Sequence, residues 1–128
     1  MRLVEKLRLK DVIFTGHVTH EELMAIYRAT DVFVCMSEHE GFCVPLIESF
    51  YFQIPVVAYA CCAVEETMNG GGILVKKKDF PAIAAVIDEI VRNEDFRRKI
   101  VEGQNRALKK YRKENIAKIL LNYIESLK

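Results

Sequence analysis

The sequence predicts an α/β fold built on a parallel sheet, and three observations support it. Up to Val75, short apolar runs alternate with helical stretches, the pattern of strand–helix units. One run, Val32-Phe33-Val34-Cys35-Met36, has no polar alternation, so both its faces are predicted to be covered, as in a parallel sheet. Beyond Val75 the pattern is helical only. The class is therefore α/β, a three-layer α/β/α arrangement with a parallel sheet and a C-terminal helical tail.

The elements follow in order. Residues 2 to 8 read as the tail of a helix with Leu3, Val4 and Leu7 on one face. Val12-Ile13-Phe14 reads as a short strand stopped by Thr15-Gly16. Thr19 is an N-cap for a helix from His20 to about Ala29, with Glu21 and Glu22 in its first turn and Leu23, Ile26 and Tyr27 inward. Asp31 turns the chain into strand 32 to 36. Residues 45 to 52 read as a helix with Pro45 at its start, where a missing N–H costs nothing. Pro55 ends it and opens the strand Pro55-Val56-Val57-Ala58-Tyr59. Ala63 to Met68 form a short helix broken by Gly70-Gly71-Gly72, and Ile73-Leu74-Val75 is a further strand. Phe80, Ile83, Ala84, Ile87, Ile90 and Val91 then recur at helical spacing. A second helix starts near Glu94. A third carries Ile116, Ile119, Leu120, Tyr123, Ile124 and Leu127 on one face. No strand precedes the first helix, so the sequence reads as one domain over 1–128, most of a Rossmann-like unit whose opening strand lies upstream of Met1.

Composition narrows the function. The chain has 128 residues, 51% of them hydrophobic, and a formal net charge of +1. That length carries a core, and near-neutral charge argues against a dedicated nucleic-acid binder. No apolar run reaches the roughly 20 residues of a membrane helix, and the charged start is not a signal peptide. Cys35, Cys43, Cys61 and Cys62 form no C-x-x-C pair, which suits a reduced, cytoplasmic compartment. Cys61-Cys62 reads as packing rather than as a redox centre.

The polar residues that matter lie between two strands. Glu40 and Glu48 bracket Gly41-Phe42-Cys43-Val44-Pro45-Leu46-Ile47, on the loop and helix that follow a buried strand. At that edge of a parallel sheet ligands bind. Gly41 lets backbone approach a ligand. The helix start near Pro45 offers free N–H groups and a positive dipole end, suited to a phosphate or diphosphate. Glu48, one turn in, can accept hydrogen bonds from a vicinal diol such as a ribose. Glu40 can accept from a sugar or stabilise positive charge developing on it. The plain alternative has Glu48 facing solvent and Glu40 capping a turn.

The stretch from Tyr27-Arg28-Ala29-Thr30-Asp31-Val32-Phe33-Val34 through Ser37-Glu38-His39-Glu40-Gly41-Phe42-Cys43-Val44-Pro45-Leu46-Ile47-Glu48 to Ile54-Pro55-Val56-Val57-Ala58 resembles the C-terminal half of the group 1 (family four) retaining glycosyltransferases of GT-B fold. Val12 to Val18 and Glu66-Thr67 with Gly70 to Val75 extend the match over nearly the whole chain. The resemblance implies that Glu40 contacts the donor sugar near the reacting centre and is the catalytic position. It implies that Glu48 binds the ribose of a nucleotide-sugar donor. Gly41, Phe42, Cys43 and Val44 would lie against the sugar and diphosphate. It implies no cofactor and no metal. Departures from the family pattern are Met36, Cys43 in place of a glycine, Ser49, Gln53 and Glu65.

The family's diphosphate-binding Arg and Lys and its acceptor domain, with a catalytic-loop histidine, would precede Met1. His17, His20 and His39 do not replace that histidine. The expected partners are thus the donor, the missing N-terminal acceptor domain and no nucleic acid. The apolar last helix suggests a homodimer. Lys76-Lys77-Lys78 and Arg106, Lys109, Lys110, Arg112 and Lys113 read either as solvated surface or as contacts to an anionic membrane, at which the protein would be peripheral. The alternative function is a non-catalytic nucleotide-sugar-binding remnant or partner subunit.

Overall fold

The computed structural model describes residues 2–126. Helix α1 spans Arg2–Lys6 and α2 spans His20–Ala29. Strand β1 (Phe33–Cys35), α3 (Val44–Tyr51), β2 (Val56–Tyr59), α4 (Val64–Met68) and β3 (Ile73–Val75) follow. Then come α5 (Phe80–Arg92), α6 (Glu94–Leu108), a 3-10 turn at Lys109–Tyr111 and α7 (Lys113–Ser126). The strands form one parallel sheet in the order β1-β2-β3.

Strand β2 is the centre because its side chains enter two clusters alternately. Val56 and Ala58 join Leu46 and Phe50 of α3, Val64 and Met68 of α4, and Ala107 of α6. Val57 points the other way, to Ile83 and Ile90 of α5 and Ile100 of α6. Period-two alternation between two buried faces is what a strand in a three-layer domain requires. Fully burying a valine contributes roughly 1.5–3 kcal/mol, and Val56 and Val57 are both fully buried.

Helix α6 also binds β2 through a polar contact. Gln104 is fully buried; its Oε1 accepts from the Val56 N–H at 2.9 Å and its Nε2 donates to the Ile54 carbonyl at 2.8 Å. The amide group thus does for the start of β2 what a neighbouring strand would do. Its approach leaves no room at Gly71, where a Cβ would fall 3.0 Å from the Gln104 Cα and 2.9 Å from the Phe50 ring. At Gly72, with φ +71, a Cβ would meet the Val56 carbonyl oxygen at 2.9 Å. The triple glycine is a close-packing device as well as a turn.

Local signals are realised at the helix ends. Thr19 and Glu22 form a capping box, the Thr19 hydroxyl accepting from the Glu22 N–H at 3.3 Å and the Glu22 carboxylate accepting from the Thr19 N–H at 2.7 Å. The Thr19 N–H foremost, and the Thr19 hydroxyl donating to the same carboxylate at 3.0 Å, hold the Glu22 carboxyl below its ordinary range. Asp79 and Asn93 cap α5 and α6, their side chains accepting from the Ala82 and Phe96 N–H groups.

Several expectations are corrected. Val12-Ile13-Phe14 is not a strand: it pairs with none of β1 to β3, and Ile13 is 87% exposed, because a strand exists only where a neighbour completes its hydrogen bonds. Strand 32 to 36 shortens to Phe33–Cys35 and is not covered on both faces. As the edge strand it leaves Val34 exposed. In α2, Tyr27 is buried but Ile26 is exposed. In α5, Phe80 and Val91 are exposed. Helix α7 buries nothing: Ile116, Ile119, Leu120, Tyr123 and Ile124 all face outward. Leu127 lies outside the described residues. Among those described, no helix is long and apolar enough to cross a membrane.

Replacing Gln104 by leucine strands a buried N–H and a buried carbonyl. Gln104→Leu is expected to lower unfolding stability by about 2–4 kcal/mol, read as a reduced urea midpoint with an unchanged slope.

Candidate functional site

The loop between β1 and α3 is fixed at both ends. On the β1 side the Phe33 N–H donates to the Pro55 carbonyl at 2.9 Å, and Cys35 lies in register with Ala58. On the α3 side Leu46 and Phe50 are fully buried. Between them Lys78 reaches across from the segment after β3, donating to Glu38 at 2.7 Å while its ammonium lies 4.7 Å from the centre of the Tyr59 ring. The Lys78 bond and charge hold the Glu38 carboxyl below its ordinary range. Lys78 therefore anchors the loop and is not simply solvated surface.

Helix α3 begins at Val44, with Pro45 in its first turn and no side-chain cap. Its N-cap is Cys43 in the left-handed conformation, φ 56. This is the backbone shape glycine adopts without steric cost, which gives the glycine of the family pattern a physical reason. The Cys43 side chain is half-buried against the α3–β2 cluster. Burial foremost, then the neighbouring Cys35 and Glu40, push its thiol up to about 12.

Glu48 points back from α3 toward α2. The Tyr27 hydroxyl donates to Glu48 Oε2 at 2.7 Å, and the Tyr27 ring stacks on Phe52 at 5.1 Å and 3°. Burial and the Glu48 bond raise the Tyr27 phenol well above its ordinary range, so it stays a donor at any physiological pH. Glu48 is thus neither free nor solvent-directed. It lines a mainly apolar groove of about 670 Å³ with His20, Met24, Phe42, Val44, Ile47, Tyr51, Phe52, Leu108, Tyr111 and Arg112.

Phe42 forms one wall of that groove, its ring edge-on to Tyr111 at 5.4 Å. The Tyr111 hydroxyl donates to the Thr67 carbonyl at 2.8 Å, and burial foremost raises its phenol above the ordinary range. On the other side of Phe42 a smaller hollow of about 300 Å³ is lined by Gly41, Glu66, Thr67 and Lys110 among others. A Cβ at Gly41 would meet nothing within 4 Å, so the space beside its backbone is open.

The sequence-predicted residues are therefore gathered, but not into one cavity. Phe42, Val44 and Glu48 line the groove, and Gly41 and Phe42 the hollow. Glu40 lines neither: it is half-buried beside Cys35 and Cys43, one ligating atom of each lying within 4.8 Å of the others. That is the set among the described residues with metal-ligand chemistry. Sequence reasoning missed Tyr27 as the partner of Glu48, and His20 and Arg112 as groove residues. Two thiols at a strand end and at the following helix start were the available signal for the Cys35–Cys43 proximity.

A parallel sheet with helices on both faces and polar groups at the strand ends places the protein among Rossmann-like α/β domains that hold ligands at that edge. Within that class the chain belongs to the glycosyl transferases group 1 family, whose model matches residues 1–107. It is 30% identical over 84 residues to O-antigen chain mannosyltransferase B of Escherichia coli, covering 66% of this chain and 22% of that protein. The crystallised C-terminal domain of a glycosyl transferase group 1 family protein (LpcC) from Francisella tularensis is 30% identical with a TM-score of 0.72, covering 88% of this chain and 60% of that one. Sucrose-phosphate synthase from Thermosynechococcus elongatus is 30% identical with a TM-score of 0.76, over 98% of this chain and 33% of that one. The chain thus spans about a fifth of the curated mannosyltransferase it matches.

Burial raises the Cys43 thiol to about 12 and disfavours its reactive thiolate, whereas Cys62 is exposed. Iodoacetamide at pH 8 is expected to label Cys62 well before Cys43 in peptide mapping, and Cys43 labelling is expected to accelerate about tenfold per pH unit up to 11.

Proposed function

We propose that the chain forms the donor side of a retaining glycosyltransferase that takes a sugar from a nucleoside diphosphate and gives it to an acceptor hydroxyl. The bond from the sugar anomeric carbon to the diphosphate breaks, and a bond to the acceptor oxygen forms on the same face. The acceptor proton and the nucleoside diphosphate leave. The observation that carries this reading is Glu48: its carboxylate is oriented by Tyr27 beside the uncapped start of α3 and along an apolar groove. A carboxylate held in this way accepts from paired hydroxyls, and the helix start attracts the diphosphate.

Glu40, on the same loop, is the residue that by the family resemblance would position the donor sugar and stabilise charge developing on it. Lys110 and Arg112, at the edges of the hollow and the groove, are cations suited to the diphosphate. No metal enters the reading, since a helix start and basic side chains supply the positive charge. Turnover further requires the acceptor-side domain that the family resemblance implies.

The relative from Escherichia coli is named a mannosyltransferase, so mannosyl donors come first in a calorimetric titration of the chain with UDP- and GDP-sugars. At least one donor is expected to give saturable heat. Glu48→Ala is expected to weaken it by about 10- to 100-fold, the worth of hydrogen bonds to a charged group. Absence of heat with every donor, or an affinity unchanged by Glu48→Ala, would overturn the reading.

A second expectation concerns the orienting residue. Tyr27→Phe keeps the stack on Phe52 and removes only the hydroxyl. It is expected to weaken donor binding less than Glu48→Ala does, by about 3- to 10-fold in the same titration.

A further inference from the structure

Cys35 closes β1, Cys43 opens α3, and Glu40 lies on the loop that joins them. The two sulfurs and one carboxylate oxygen lie within 4.8 Å of one another, and all three side chains are half-buried. Both thiols stand on fixed backbone: β1 is paired to β2, and α3 is anchored by two fully buried side chains. The left-handed N-cap directs the Cys43 side chain inward, against the same cluster that Cys35 touches.

We propose that Cys35, Glu40 and Cys43 form a binding site for a thiophilic divalent cation, with Zn²⁺ the best match. Two cysteine sulfurs, each releasing its proton to solvent as the metal binds, select a borderline-soft metal over Mg²⁺ or Ca²⁺, which take oxygen ligands. Zinc takes sulfur at about 2.3 Å and carboxylate oxygen at about 2.0–2.2 Å in a tetrahedron. Those lengths set ligand atoms about 3.5–3.8 Å apart, so the three donors need to close by no more than about 1 Å. Three protein ligands leave the fourth position to water or an added ligand. Cys61 packs on the same cluster, but its thiol donates to the Ser37 carbonyl at 3.1 Å and it is outside the set.

The site is a property of this chain's own residues, because it needs a thiol where the family pattern has glycine. Its consequence for catalysis rests on the reading of Glu40 given above: a bound cation occupies the carboxylate that would otherwise face the donor sugar, so zinc and donor compete.

Cobalt(II) is the probe. The chain, fully reduced with a phosphine, is titrated with Co²⁺ alone and followed by absorbance. One equivalent is expected to give a saturable thiolate-to-cobalt charge-transfer band in the near ultraviolet, with visible bands of tetrahedral intensity, and Zn²⁺ is expected to bleach them stoichiometrically. Cys43→Gly, which suits the φ 56 position, is expected to abolish the charge-transfer band, and Cys35→Ser to do the same. Glu40→Gln, a loop variant, is expected to weaken cobalt binding, and Cys62→Ser to leave it unchanged. Lack of a saturable band in the reduced chain, a band undiminished in Cys43→Gly, cobalt binding unaltered in Glu40→Gln, or loss of the band in Cys62→Ser overturns the proposal. The spectrum reads the metal without any donor present, so its failure is distinct from a failure of donor binding.

Discussion

Successive side chains of β2 lie in two separate apolar clusters, and its backbone is bonded by a strand on each side and by the Gln104 amide at its start. Such a strand has one register only, because a slip of one residue would exchange its two faces. The site inherits that precision. Pro55, just before β2, receives the first bond from β1, so the end of β1 and the loop after it are placed by β2. Helix α3 buries Leu46 and Phe50 in the same cluster as Val56 and Ala58, so its open start is placed by β2 as well. Glu40, Cys43 and Glu48 are positioned by a core on which Cys43 packs and to which neither glutamate contributes its carboxylate.

The elements whose signal is local were legible in the sequence. Thr19, with Glu22 in the turn that follows it, announces the start of α2 by its cap alone, and Pro45 sits at the start of α3. The three paired strands carry apolar runs and β-branched residues that need no knowledge of what lies beside them. The run at Val12 to Phe14 looks the same, yet it forms no strand, since composition does not say whether a hydrogen-bonding neighbour exists. Val34 was misjudged for the same reason: an edge strand and a central strand share a composition and differ in cover.

The site was legible as a location more than as an arrangement. Two acids, a glycine and a helix start between strands mark the carboxyl edge of the sheet, and the groove is there. What escaped was everything that depends on distant pairs. Tyr27 and Glu48 are 21 residues apart, and Lys78 and Glu38 are 40 apart. Periodicity assigns Tyr27 to the inner face of α2 but cannot say that its hydroxyl ends on a carboxylate. Nor does any residue type announce the left-handed turn at Cys43, or that Glu40 lies outside the groove that Glu48 lines.

The reach of Gln104 also has a consequence in time. It contacts residues 48 and 50 positions earlier in the chain. During synthesis at roughly 5–20 residues per second, β2 leaves the ribosome several seconds before the side chain that closes its start. For that interval the nascent domain holds its central strand with an exposed N–H and an exposed carbonyl, beside a glycine pair that offers no steric cover. The order of emergence makes α6 the piece that completes the sheet, and the growing chain is open to wrong pairing at β2 until it arrives.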